Sequence, residues 1–194
     1  QLCDTIWGVG FGRADKIALA NGLPIDSVER LEAALIHTLQ LSTLDGHTYL
    51  PREQLLQKGA TLLQGATSRA QGVDEERLSL FAEQLYEELP QVLQNLTTQE
   101  KLINSEGAIY LPQLHRDELT VAEWVRVALQ RRARSIDPAR LERALTRWSS
   151  AEGVDLDPLQ RQAVLRAARA PLYLLTGGPG TGKTTALKGL VYLL

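Results

Sequence analysis

The sequence predicts a mainly α-helical protein with a small sheet and, at its C-terminal end, a strand, a glycine loop and a helix. Three observations predict it. Apolar residues recur at helical spacing, as in Val28, Leu31, Leu35 and Leu39. Two stretches, "GHTYLP" at 46–51 and "GAIYLP" at 107–112, echo one another and read as neighbouring strands of one sheet. The segment "LYLLTGGPGTGKTTALKGLVYLL" at 172–194 sets an apolar run before a glycine cluster and a helical pattern after it.

The first element is carried by "WGVGFGRADKIALANG", where Gly8, Gly10 and Ala14 stand in a G-h-G-x-x-x-A arrangement and a tight glycine turn, Gly8 to Gly12, feeds a helix that ends near Asn21-Gly22. This is a helix-hairpin-helix signature. Glycine N–H groups in such a turn face a DNA phosphate, and Arg13 and Lys16 lie one turn along to neutralise it. A packing turn between two helices is the alternative. Only seven residues precede Gly8, so the first hairpin helix is expected to be short or cut.

Asp26 and Glu29 then predict a capping-box-like start to a helix running to about Ser42. A short strand follows in "GHTYLP", with a helix begun at Pro51. A third helix is predicted from Asp74 to Leu89, with Leu78, Phe81, Leu85 and Leu89 facing inward, and "KLINSEGAIYLP" reads as two strands joined by a turn at Asn104 to Gly107. Helix, strand, helix, helix, strand, strand is the winged-helix order. In such a module the third helix often enters the major groove. Here it carries Asp74, Glu75, Glu76, Glu83, Glu87 and Glu88 against Arg77, and carboxylates oppose phosphates. The module is therefore read as a scaffold or as a contact for a protein partner on its acidic face.

The formal charge of −2 conceals an asymmetry: residues 1–100 hold 7 Lys and Arg against 14 Asp and Glu, and residues 101–194 hold 14 against 9. Attraction to nucleic acid is expected in the second half, where "RVALQRRARSIDPARLERALTRW" contributes Arg131, Arg132 and Arg134. A solvated basic helix face is the alternative. Asp137 and Asp157 precede Pro138 and Pro158 as N-caps of two helices, with "SSAEGVD" read as the linker and domain boundary between them.

A length of 194 residues, 44% of them hydrophobic, accommodates one to two globular domains, and no run is long and apolar enough for a membrane span. Cys3 is the one cysteine, so no disulfide closes within the chain and a reducing, cytoplasmic setting is expected. The start at Gln1 and the absence of methionine read as a fragment of a longer protein. His37, His47 and His115 lack metal-site spacing, and Trp7, Trp124 and Trp148 are expected in the core.

The glycine cluster carries the chemistry. Gly177, Gly182, Lys183 and Thr184 fit G-x-x-x-x-G-K-[ST], in which backbone N–H groups, here around Gly178, Gly180, Thr181 and Gly182, curl about an anion at a helix N-terminus. Lys183 is expected on the β- and γ-phosphates of ATP, the Thr184 hydroxyl on Mg²⁺, and Thr185 at the α-phosphate. A buried parallel strand over Leu172 to Thr176 is expected to precede the loop.

"LDPLQRQAV" followed by "LLTGGPGTGKTT" resembles the opening of a superfamily-one helicase motor, and "VGFGRADKIA" with "GHTYLPREQLL" resembles the N-terminal region of RecD-like ATP-dependent DNA helicases, relatives of the exodeoxyribonuclease V alpha subunit. The resemblance implies a helix-hairpin-helix over 1–25, a winged-helix-like domain over 26–135, a connecting helix and linker over 136–152, and from 153 the beginning of a RecA-like α/β motor domain. It also implies 5′ to 3′ translocation on single-stranded DNA or at a single- to double-strand junction, with Gln160 reading adenine and Gln162 as its near neighbour. Hydrolysis in that family needs an acidic residue on a later strand and an arginine from a second motor domain, so this chain alone is expected to be inactive. A conjugative relaxase-helicase and a non-enzymatic interaction module remain alternatives.

Overall fold

In a computed structural model, which describes residues 11–69 and 74–194, the chain forms two units, Gln1–Leu119 and Thr120–Leu194. The helices predicted from apolar spacing are present in the first unit. α1 (Phe11–Ala20) buries Phe11, Ala14 and Asp15, and α2 (Val28–Leu44) buries Leu31, Leu35 and Leu39. α2 begins after Ser27, and no side chain caps it, so the expected capping box at Asp26 and Glu29 is not formed. Gly12 lies in the first turn of α1, while Gly8 and Gly10 lie outside the described residues.

β1 (Tyr49–Pro51), α3 (Arg52–Thr67), α4 (Glu75–Thr98), β2 (Ile103–Ser105) and β3 (Ala108–Tyr110) complete the predicted winged-helix order. The sheet runs β1-β3-β2, antiparallel throughout, and the two echoing stretches are indeed partners, Tyr49 opposite Tyr110 and Leu50 opposite Ile109. β2 and β3 meet at a two-residue turn in which Glu106 and Gly107 both take positive φ, 53° and 88°, the geometry whose twist suits a hairpin. Leu50 and Ile109 are buried beneath this sheet in one core with Leu31, Leu35, Leu55, Leu63, Phe81, Leu85 and Leu96.

The third helix of this module, α4, overruns its expected end by nine residues, through Pro90 to Thr98. An interior proline removes one helical hydrogen bond and costs about 3 kcal/mol. Beyond it, however, Val92, Leu93 and Leu96 are buried, each contributing about 1.5–3 kcal/mol, which outweighs the break. Along its exposed side lie Glu75, Glu76, Glu83 and Glu87. Burial, then Asp26 and Glu87, holds the Glu88 carboxyl above the ordinary carboxylate range.

α5 (Pro112–Gln130) runs from the first unit into the second and buries no residue. Trp124, expected in a core, is 78% exposed on it, whereas Trp148 is buried as expected and Trp7 lies outside the described residues. α6 (Pro138–Glu152) and α7 (Pro158–Ala167) start as predicted: the Asp137 and Asp157 carboxylates accept from Ala139 N–H and Leu159 N–H at 3.0 and 2.8 Å. The linker is shorter than read, because Ser149 to Glu152 complete α6 and leave only residues 153–157 irregular. α8 (Lys183–Leu193) packs Ala186 into a small core with Leu145, Trp148, Leu156 and Val164. Gly189 permits this approach, since a methyl group there would lie 3.0 Å from the Trp148 ring.

Two further expectations fail in the second unit. Leu172 to Thr176 form no strand: Tyr173, Leu174 and Leu175 are 38%, 82% and 41% exposed. A parallel strand exists only through hydrogen bonds to a neighbour, and no strand forms in this unit to pair with it. The arginine-rich stretch is not one helix face either. α5 ends at Gln130, and Arg131, Arg132 and Arg134 occupy an irregular connector before α6.

Candidate functional site: the glycine loop

The loop between residues 177 and 182 ends on Gly182, which caps α8 from the left-handed region at φ 72°, with Gly180 at φ 74° two residues earlier. A side chain disfavours that region, so glycine at these positions follows from the backbone. No side chain caps α8. Its first-turn N–H groups therefore face outward from the loop's end with the partial positive charge of a helix N-terminus, the arrangement that suits a phosphate.

Lys183 folds back over the loop. Its Nζ donates to the carbonyl of Gly177 at 2.6 Å and to that of Gly178, and lies 3.4 Å from the Thr181 hydroxyl. Thr181 in turn donates to the Gly178 carbonyl at 2.9 Å. The ammonium thus sits at the mouth of the glycine turn, beside Gly178 and Thr181, on oxygen atoms that a phosphate oxygen can replace. Thr184 is exposed in the first turn of α8, and Thr185 is half-buried next to it.

Gln160 is brought to this loop from 21 residues away. Its Nε2 donates to the Thr181 carbonyl at 3.1 Å, and its Oε1 accepts from Asp157 N–H at 3.1 Å. The second bond completes a capping box on α7 that the D-x-x-Q spacing of Asp157 and Gln160 already contained. Gln160, Gly178, Gly180, Thr181, Gly182, Lys183, Thr184 and Thr185 accordingly form one local constellation. Gln162 is exposed on α7.

The remaining sequence-predicted positions fall in two other places. Gly12, Arg13 and Lys16 are exposed along α1 in the first unit. Arg131, Arg132 and Arg134 are exposed on the connector of the second, where the Arg134 N–H donates to the Arg169 carbonyl at 2.9 Å. His37 stacks on Phe11 and His115 meets the edge of Tyr110, and no cluster of potential metal ligands occurs among the described residues. No helix among them is long and apolar enough to cross a membrane.

Sequence reading missed one polar cluster altogether. Arg30 on α2 donates to both carboxylate oxygens of Asp15 on α1, at 2.6 and 2.9 Å, to the Ile25 carbonyl and to the Thr67 hydroxyl on α3 at 2.8 Å. Its guanidinium carbon lies 5.6 Å from the centre of the Phe81 ring on α4. Four helices converge on this one side chain, which fixes the hairpin helix to the winged-helix core. The available signal was Arg30, Ala34 and Thr38 at four-residue spacing beside the apolar face of α2, all buried.

Residues 1–49 match the ATP-dependent RecD2 DNA helicase HHH domain, and residues 160–194 match an AAA domain. The ATP-dependent RecD2 DNA helicase of Deinococcus radiodurans is 33% identical over 191 residues, covering 96% of this chain and 25% of that protein. The RecBCD enzyme subunit RecD of Haemophilus influenzae is 29% identical over 89 residues, 45% of this chain and 14% of that one. The chain thus spans about a quarter of the length of the first of these relatives. With a helix-hairpin-helix match at one end, an AAA match holding the glycine loop at the other and a relative aligned across both, the chain is similar throughout to the N-terminal region of RecD-like helicases, up to and including the glycine loop.

Proposed function

We propose that the full-length protein is an ATP-dependent DNA helicase that translocates 5′ to 3′ on single-stranded DNA and serves DNA repair and recombination in the cytoplasm. The observation that carries this reading is the Lys183 ammonium held over a glycine turn at the uncapped start of α8. Lys183 binds the β- and γ-phosphates, the Thr184 hydroxyl takes Mg²⁺, and Thr185 meets the α-phosphate. N–H groups around Gly178, Gly180, Thr181 and Gly182 line the phosphates, while the Gln160 amide reads the adenine edge. Bound ATP supplies the free energy of its hydrolysis, and this chain's residues hold and orient it. The motor begins at about residue 153, preceded by a helix-hairpin-helix, a winged-helix-like domain and a connecting helix. The acid and the arginine that complete hydrolysis come from other parts of the full-length protein, so the 194-residue chain alone is expected to turn over no ATP.

DNA contact is assigned to the hairpin turn with Gly8, Gly10, Gly12, Arg13 and Lys16, and to Arg131, Arg132 and Arg134. The exposed carboxylates of α4 suit a basic protein partner instead. Binding to single-stranded DNA across a salt series tests this division. Arg131→Glu with Arg132→Glu should weaken binding and flatten the salt slope by about one to two units, whereas Glu75→Lys with Glu76→Lys should leave it unchanged or slightly stronger. Loss of binding on altering α4, with no effect from the arginines, would reverse the roles. Nucleotide titration of the full-length protein tests the loop itself, with binding expected to depend on Lys183.

A further inference from the structure

The Gln160 amide faces two ways: its oxygen completes the cap of α7, and its nitrogen holds the carbonyl of Thr181 inside the loop. That second contact has a geometric consequence. The peptide bonds are trans, so the carbonyl of Thr181 and the N–H of Gly182 point in opposite directions within one rigid plane. Turning the carbonyl toward Gln160 turns the Gly182 N–H away from it. The contact is also close enough that a methyl group on Gly182 would collide with the Gln160 amide nitrogen. Gly182 is therefore constrained by its left-handed backbone, with the Gln160 side chain lying against it.

We propose that Gln160 is a positioning residue of the phosphate loop: by holding the Thr181 carbonyl it fixes the Thr181–Gly182 peptide and presents the Gly182 N–H to a bound triphosphate, whatever base that ligand carries. This rests on the reading of the loop as a triphosphate site and adds a base-independent role to Gln160. A residue that only reads adenine has no effect on a ligand without a base. A residue that orders the loop affects every ligand that uses the loop. Preorganisation of one N–H is worth about one hydrogen bond, a three- to ten-fold change in affinity.

The test is calorimetric titration of the full-length protein with inorganic tripolyphosphate and with ATP, each with Mg²⁺, for the parent, Gln160→Ala, Asp157→Ala and Lys183→Ala proteins. Asp157→Ala removes the carboxylate half of the α7 capping box and leaves the Thr181 contact, so it reports the effect of weakening the cap alone. Gln160→Ala should weaken tripolyphosphate about three- to ten-fold and ATP at least as much, while Asp157→Ala changes tripolyphosphate by less than about two-fold. Unchanged tripolyphosphate affinity in Gln160→Ala, or an equal loss in Asp157→Ala, overturns the positioning role. A parent protein that binds neither ligand, or a Lys183→Ala protein that binds both as the parent does, overturns the phosphate-loop reading itself and the inference with it.

Discussion

Replacing Arg30 with alanine is expected to destabilise the first unit by about 3–5 kcal/mol, a large share of the 5–15 kcal/mol that holds a typical domain together. The size follows from what is left behind. Asp15 and Arg30 side chains are 3% and 1% exposed, so removing the guanidinium strands a carboxylate away from water. It also orphans the Ile25 carbonyl, whereas the Thr67 hydroxyl keeps its bond to the Leu63 carbonyl at 2.8 Å. The double replacement Asp15→Leu with Arg30→Met should recover most of the loss, because two apolar side chains of similar size need no partner. Native-state hydrogen exchange of the α2 amides in the 194-residue chain measures both. An Arg30→Ala loss below about 1 kcal/mol would mean that the cluster is wet and contributes as a surface pair does.

Replacing Lys183 with alanine in the full-length protein is expected to lower ATP turnover by at least about 10²- to 10³-fold, the scale lost when one fixed donor to transferring phosphoryl oxygens is removed. Two other cations of the same unit are placed differently. Lys188 lies a turn and a half further along α8, exposed, and Arg161 is engaged with Glu142 at 2.5 Å. The protein should still fold, since the Lys183 ammonium contacts only loop oxygens and takes no part in the core of Leu145, Trp148 and Val164. Steady-state phosphate release with saturating single-stranded DNA, together with unchanged circular dichroism, measures the effect.

What could be read in the sequence was what local rules determine. Periodicity identified α2 and α4, Asp-Pro pairs identified the starts of α6 and α7, and the echo of "GHTYLP" in "GAIYLP" identified β1 and β3 as partners. The glycine loop was legible because its geometry is set by its own residues, with left-handed glycines, a lysine and a helix start all within seven positions. What local rules do not determine was misread. Pro90 marks a helix end by propensity, but the burial of Val92, Leu93 and Leu96 carries α4 past it. The apolar run at Leu172 to Thr176 has strand composition, yet a strand is made by its neighbour. Asp15 and Arg30 are fifteen residues apart, and only the packing of α1 on α2 shows that they are one pair. Gln160 was identified through resemblance for a base contact, and its bond to Thr181 became visible only when α7 and the loop were placed together.

The most direct measurement of the central claim is strand separation by the full-length protein on a duplex with a 5′ single-stranded tail, compared with one carrying a 3′ tail, with and without ATP and Mg²⁺. ATP-dependent unwinding of the 5′-tailed duplex is expected, with little of the 3′-tailed one, and none of either by the Lys183→Ala protein. Unwinding that proceeds without ATP, or that survives Lys183→Ala, would contradict the claim.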